Sequence, residues 1–238
     1  MKKIMIVLTL LLLYGCRSAL LYTTNNIPVP LIQNQGETQI SGQYGTNGKS
    51  FNVVSSPLKN ISVSIAGNYD NVTKKSEISE KDLEDKNSHK YTEVAVGYSD
   101  FVSEAFIGEA FAGYGRGESK DQYFEQYAFS SKIHENLAEG KYEKYFIQGN
   151  LGQRKSDFTT GFALRLSYVS FFELMKLKDD VTSFPSVKEF MIFEPAIFAK
   201  IGGKNLKLEV EVMFPYTAKD IDFDYQSLVI SAGLRFIF

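Results

Sequence analysis

Residues able to do covalent or proton chemistry are few in this 238-residue sequence. Cys16 is the only cysteine, and His89 and His134 are the only histidines. A single cysteine excludes a disulfide within the chain. Ser88 adjoins His89, and Ser130 and Ser131 precede His134. A working nucleophile–base pair needs side chains within hydrogen-bond reach and a third group to orient the base. Residues this near in sequence rarely meet that geometry. Glu209 and Glu211 flank Val210, so an extended strand places both carboxylates on one face. No histidine, serine or metal-spaced partner accompanies them, so they read as charge rather than as a catalytic dyad. Gly113-Tyr114-Gly115-Arg116-Gly117 is glycine-rich but opens no helix, so it offers no phosphate cradle. It reads as close backbone packing at a strand end. The sequence therefore points to no enzyme, cofactor or metal. A net charge of −2 gives no electrostatic case for nucleic acid.

The elements that must hold these side chains are strands. Apolar residues recur at every second position, the period of a strand with two different faces. Leu228, Ile230, Ala232, Leu234, Phe236 and Phe238 share a face against Ser231, Gly233 and Arg235. Leu206, Leu208, Val210, Val212, Phe214 and Tyr216 oppose Lys207, Glu209 and Glu211. Phe158, Phe162, Leu164, Leu166, Tyr168 and Phe172 oppose Thr159, Gly161, Arg165 and Ser167. Residues 61–69 repeat the pattern, and weaker copies lie at 38–45, 48–56, 91–100, 105–116, 142–154 and 189–201. That makes ten strands, or eight if 48–56, which alternates poorly, is not one. Most exceed the ~5–6 residues of globular strands and match the ~9–11 of tilted transmembrane strands.

The connections alternate between short and long. Tight turns lie at 57–60, 101–104, 155–157 and 202–205. After a first short connection at 46–47, polar loops are expected at 71–89, 117–141, 173–188 and 217–226. Loop 117–141 carries Tyr123, Phe124, Tyr127, Phe129, Ile133 and Leu137, which suit either a lid on the barrel or a partner surface. The expected fold is all-β: a single up-and-down antiparallel transmembrane β-barrel. Its short turns would face the periplasm and its long loops the exterior. Tyr44, Tyr69, Tyr98, Tyr114, Tyr168 and Tyr216 fall near strand ends on the apolar face, where interfacial girdles form.

If the apolar faces meet lipid, the other faces line the lumen. Five acids, Glu93, Glu109, Glu194, Glu209 and Glu211, then stand against five bases, Lys144, Arg165, Lys200, Lys207 and Arg235. A charge-selective pore shows one dominant sign. A balanced set implies mutual pairing across a narrow, filled interior.

Both ends of the chain carry signals. Lys2 and Lys3 precede the apolar run Ile4–Leu13, a secretory signal pattern too short to span a membrane permanently. Leu13-Tyr14-Gly15-Cys16 resembles a bacterial lipobox. The resemblance implies cleavage before Cys16 and its acylation with palmitate-type chains. Removal of residues 1–15 leaves 24 basic and 28 acidic residues, a net charge of −4. Residues 16–36, with Asn25, Asn26, Pro28, Pro30, Asn34 and Gly36, read as an extended tether ahead of a barrel over 37–238. The last eight residues, with Ser231, Gly233, Phe236 and the terminal Phe238, resemble the C-terminal signal of outer-membrane barrels. That resemblance implies recognition by the barrel-assembly machinery through strand addition.

The mature chain thus resembles small lipidated outer-membrane β-barrel proteins. Such a protein would sit in the bacterial outer membrane, its N-terminus lipid-anchored on the periplasmic side. Its partners would be outer-membrane lipid and, through the long loops, other outer-membrane proteins. The expected role is structural, surface-binding or that of an accessory subunit. A narrow channel for small polar or amphipathic solutes is the alternative. A soluble lipocalin-like ligand binder is the third reading, opposed by strand length and by the C-terminal signal.

Overall fold

The computed structural model describes residues 20–78, 81–127, 133–178, 181–184, 186, 188–218, 221 and 223–238; for 74–78, 81–83, 125–127, 133–135 and 178 it describes the backbone alone. Cys16 and the expected signal segment lie outside these residues.

In chain order the elements are β1 (Leu20–Tyr22), β2 (Thr38–Gly45), β3 (Gly48–Leu58), β4 (Ile61–Ile78), β5 (Lys81–Phe101), β6 (Ile107–Tyr127) and β7 (Ile133–Arg154). They continue with β8 (Phe158–Lys178), β9 (Val181–Ser183), β10 (Glu189–Gly202), β11 (Leu206–Met213), β12 (Tyr216–Thr217), β13 (Asp224–Tyr225) and β14 (Val229–Ile237). Ten of them form the wall in the order β10-β11-β14-β2-β3-β4-β5-β6-β7-β8, and β10 pairs back onto β8 to close the ring. Every wall pairing is antiparallel. The segment 48–56 is a full member of the wall as part of β3, so the count is ten.

Closure removes the free edges that an open sheet would expose. The terminal residue takes part: Phe238 N–H donates to the Thr38 carbonyl at 2.9 Å, and Thr38 N–H donates back at 3.2 Å. The face of each strand follows the alternation. On β14, Ile230, Ala232, Leu234 and Phe236 are exposed, while Val229, Ser231, Arg235 and Ile237 are buried. Leu228 to Phe238 spans roughly 25 Å along the barrel axis at ~3.3 Å per residue and ~40° tilt. That matches the height of the apolar band of membrane barrels. Tyr44, Tyr69, Tyr98, Tyr168 and Tyr216 point outward from this belt.

Two expectations need correction. The first concerns the loops at 71–89 and 117–141. Their described residues are strand: β4 pairs with β5 out to Ile78↔Lys81, and β6 with β7 out to Gln126↔Ile133; the expected loop 173–188 likewise begins as strand, with β8 running to Lys178 and pairing with β9. Beyond the apolar belt the outward face of a strand meets water instead of lipid, so its sequence loses the apolar alternation that marks a wall. Cross-strand charges support the extension. Lys90 faces Glu118 at 3.2 Å, Arg116 faces Glu143 at 3.0 Å, and Lys120–Glu139 and Lys141–Glu173 each lie at 2.6 Å. Directly opposed charges of this kind stabilise strand pairs modestly.

The second concerns residues 16–36. From Leu20 onward this segment is not a tether outside the barrel but a plug threaded through it. Leu21, Tyr22, Thr24, Ile27, Val29, Leu31 and Ile32 are all buried. A ten-stranded barrel is wider than one just filled by its own side chains. The N-terminal segment fills the remaining space.

Candidate functional site: the plugged lumen

The plug has almost no strand partner, so its backbone groups need other satisfaction. The sequence solves this twice. Pro28 and Pro30 lack an N–H and so remove two donors from the lumen. The wall's polar side chains serve the remaining groups. Glu211 accepts from Ile27 N–H at 3.0 Å, and Glu109 accepts from Ile32 N–H at 2.9 Å. Gln148 donates to the Pro28 carbonyl at 2.7 Å, Gln39 to that of Pro30 at 3.0 Å and Arg154 to that of Leu31 at 2.8 Å. Lys200 donates to the Val29 carbonyl. Asn26 bonds Gln43, Ser50 and Ser231 on three different strands. Leu31 holds a left-handed φ of 50°. That conformation costs a side-chain-bearing residue ~1–2 kcal/mol, offset here by full burial and the Arg154 bond.

All ten charges assigned to the lumen from the sequence point inward and are buried. Six of them pair with one another. Arg165 forks onto Glu93 through two bonds of 2.9 Å, reaches Gln148 Oε1 at 2.7 Å, and lies 4.1 Å from the centre of the Phe146 ring. Lys144 meets Glu194 at 2.9 Å, and Arg235 meets Glu209 at 2.6 Å. The other four are used differently. Glu109, Glu211 and Lys200 hold the plug. Lys207 binds the carbonyls of Lys155 and Ser156, both at 3.0 Å, in a tight turn. Mutual pairing is thus only part of their work.

Apolar contacts complete the filling. From Ile107, at a tight-turn strand end, across to the Met213–Val229 pair, the residues Ile27, Val29 and Leu31 pack on Ile107, Ala163, Ala196, Phe198, Met213 and Val229. Towards the other end, Leu21 and Tyr22 join Tyr91, Tyr142, Phe171, Phe190 and Phe223. The Tyr22 ring lies 5.3 Å from Tyr142 and 5.5 Å, edge-on, from Phe190. The glycine run of β6 now has a cause. An added Cβ would fall 2.3 Å from Phe146 at Gly113, from the Tyr91 hydroxyl at Gly115 and from Tyr142 at Gly117. The three glycines form a smooth track on which inward aromatic rings lie flat. Between the plug and the wall of β2 to β5 the remaining cavity is only about 20 Å³.

His89 sits above the belt, since its chain neighbour Lys90 points outward and pairs with Glu118. Its Nε2 lies 2.8 Å from the Tyr142 hydroxyl and its Nδ1 3.1 Å from Asn68 Oδ1. Burial, with a smaller contribution from Lys144, lowers its pKa to about 3. It is a neutral structural contact near the upper end of the plug. Of the residues that resemble an assembly signal in the sequence, Phe236 and Phe238 face outward and Ser231 inward. Gly233 lies where a Cβ would fall 2.0 Å from the Gly42 carbonyl. Sequence reading missed the plug and its holders Gln39, Gln43, Gln148 and Arg154. The available signal was the apolar run Ile27-Pro28-Val29-Pro30-Leu31-Ile32, out of keeping with a solvated linker.

No protein-family model and no curated protein matches the chain. Among solved structures, the outer-membrane protease OmpT of Escherichia coli is similar with a TM-score of 0.51 and 11% identity, over 85% of this chain and 93% of that one. The translocator domain of the autotransporter NalP from Neisseria meningitidis aligns at 9% identity and a TM-score of 0.46, over 85% and 86% of the two chains. LpxR from Salmonella typhimurium aligns at 8% identity and a TM-score of 0.40, over 85% and 100%. The likeness to OmpT is one of fold: this chain has the ten-stranded antiparallel architecture of an outer-membrane β-barrel.

Proposed function

We propose that this protein is a lipid-anchored bacterial outer-membrane barrel, sealed by its own N-terminal segment, with a structural, surface-binding or accessory role and no catalytic one. The observation that carries this reading is the plug. It lies within the lumen and ties to the wall through six side chains that serve its backbone, which supports a closed barrel. What the protein then offers is its exterior: an apolar belt for lipid, and hairpins that rise beyond it with a ladder of opposed charges. Acylation of Cys16, and reading of β14 by the assembly machinery, belong to the same proposal.

Planar bilayers test it. The full chain is expected to be silent, and deletion of residues 20–33 is expected to open conductance. Steady conductance by the intact, correctly folded chain would favour the channel reading and overturn the sealed one.

A further inference from the structure

The plug has a direction, and the direction has a topological consequence. One end of the barrel carries the tight turns: Lys155 N–H donates to the Phe158 carbonyl at 2.8 Å across one, and Val102 N–H to that of Phe106 at 2.9 Å across another. The plug enters the wall at this end. Gly36 N–H bonds the Ser56 carbonyl at 2.7 Å, and Glu37 meets Arg154 at 2.5 Å. The chain leaves at the opposite end. The Thr24 carbonyl accepts from Asn47 at 3.0 Å, in the β2–β3 turn. Leu20 and Tyr22 pair in parallel with Asp224 and Tyr225 of the long connection before β14. Leu20 N–H reaches Asp121 at 3.1 Å, on the part of β6 that extends past the belt. In membrane barrels short turns are periplasmic and long connections external. Leu20 therefore sits at the external mouth.

We infer that the chain preceding Leu20 leaves the barrel on the external side, so that an acylated Cys16 anchors the protein to the outer leaflet and not to the periplasmic one. The acyl part rests on the lipoprotein reading above; the threading does not. Magnitudes decide the side. Cys16 is four residue steps from Leu20, a reach of at most ~14 Å at full extension. Returning to the periplasmic face would mean crossing ~30 Å of hydrocarbon or a lumen that the plug already fills. A diacylated cysteine is also too bulky to pass a finished, plugged lumen. The wall must therefore close around the segment, with β14 meeting β2 after residues 20–36 are in place.

The test uses a membrane-impermeant maleimide on intact cells, with variants of the full chain that keep heat-modifiable migration on detergent gels. Ser18→Cys is expected to label as fully as Thr46→Cys, in the turn beside the external mouth. Ser156→Cys, in a tight turn, is expected to label only after the outer membrane is permeabilised. Labelling of Ser18→Cys only after permeabilisation would overturn the inference. Metabolic incorporation of an alkyne palmitate, compared between wild type and Cys16→Ala, separates the two layers. Incorporation together with surface labelling at residue 18 supports the external anchor. Surface labelling without incorporation overturns the lipoprotein reading and the anchor, and leaves the threading in place.

Discussion

The outer wall and the plug are both apolar, extended chain, yet they meet their physical demands in opposite ways. A wall strand satisfies its backbone by pairing on both sides, so its side chains are free to alternate between lipid and lumen. The plug lacks a ladder beyond β1, so its backbone must be served by side chains. That is why Glu109, Glu211, Lys200, Gln39, Gln148 and Arg154 stand inside the barrel. A lumen full of balanced charge therefore need not be a conduit or a set of pairs. It can be the bonding scaffold for a segment with no regular structure.

The largest expected effect lies where wall and plug depend on the same group. Arg165→Ala leaves Glu93 buried without its partner and removes a guanidinium that also holds Gln148. Loss of one member of such a pair costs ~3–5 kcal/mol. Denaturant unfolding in lipid vesicles should show this, with Arg165→Met and Glu93→Leu together far milder than either alone.

Next comes the lipid face. Leu234→Arg places on the belt a charge that Arg235, one residue on, carries without penalty inside. The expected loss is ~2–4 kcal/mol if the site lies near the bilayer midplane. Equal tolerance at 234 and 235 would break the distinction between faces.

A pH series probes the plug end. His89 has a pKa of about 3 in place against 6.5 in free chain. Between these values the unfolded state binds the extra proton. The stabilisation is therefore complete above pH 6.5 and declines as pH falls towards 3. The thermal midpoint should drop over that window, and less steeply in His89→Gln. The smallest effect is expected at Lys141→Ala on the exposed ladder, where unfolding should not shift measurably.

Much of the wall was legible because lipid on one side and polar lumen on the other impose period two. Nine of the ten strands follow from that period, and β3 over 48–56, which alternates poorly, is settled only by its place in the wall. Legibility falls where a face changes company. On β10, Phe190, Ile192 and Phe198 point inward against plug and aromatic cluster, so both faces are apolar and alternation fades. On β6, Gly113, Gly115 and Gly117 make room for rings from other strands, which no local pattern announces. Past the belt, β4 to β7 continue as paired strands whose charged residues resemble loops. The plug was hardest to read, since its Asn and Pro content imitates a linker. Its prolines are instead donors removed from a place with few acceptors.

Residues 21–32 lie inside the closed wall. Asn26 Nδ2 stands 2.9 Å from Ser231 Oγ, so a short bifunctional thiol cross-linker between Asn26→Cys and Ser231→Cys, in a Cys16→Ala background, tests it most directly. An intramolecular link is expected, which closes almost the whole chain into a loop and shifts the migration of the denatured protein. No link at 26–231, under conditions where a wall pair such as Ser41→Cys with Arg235→Cys does link, would contradict it.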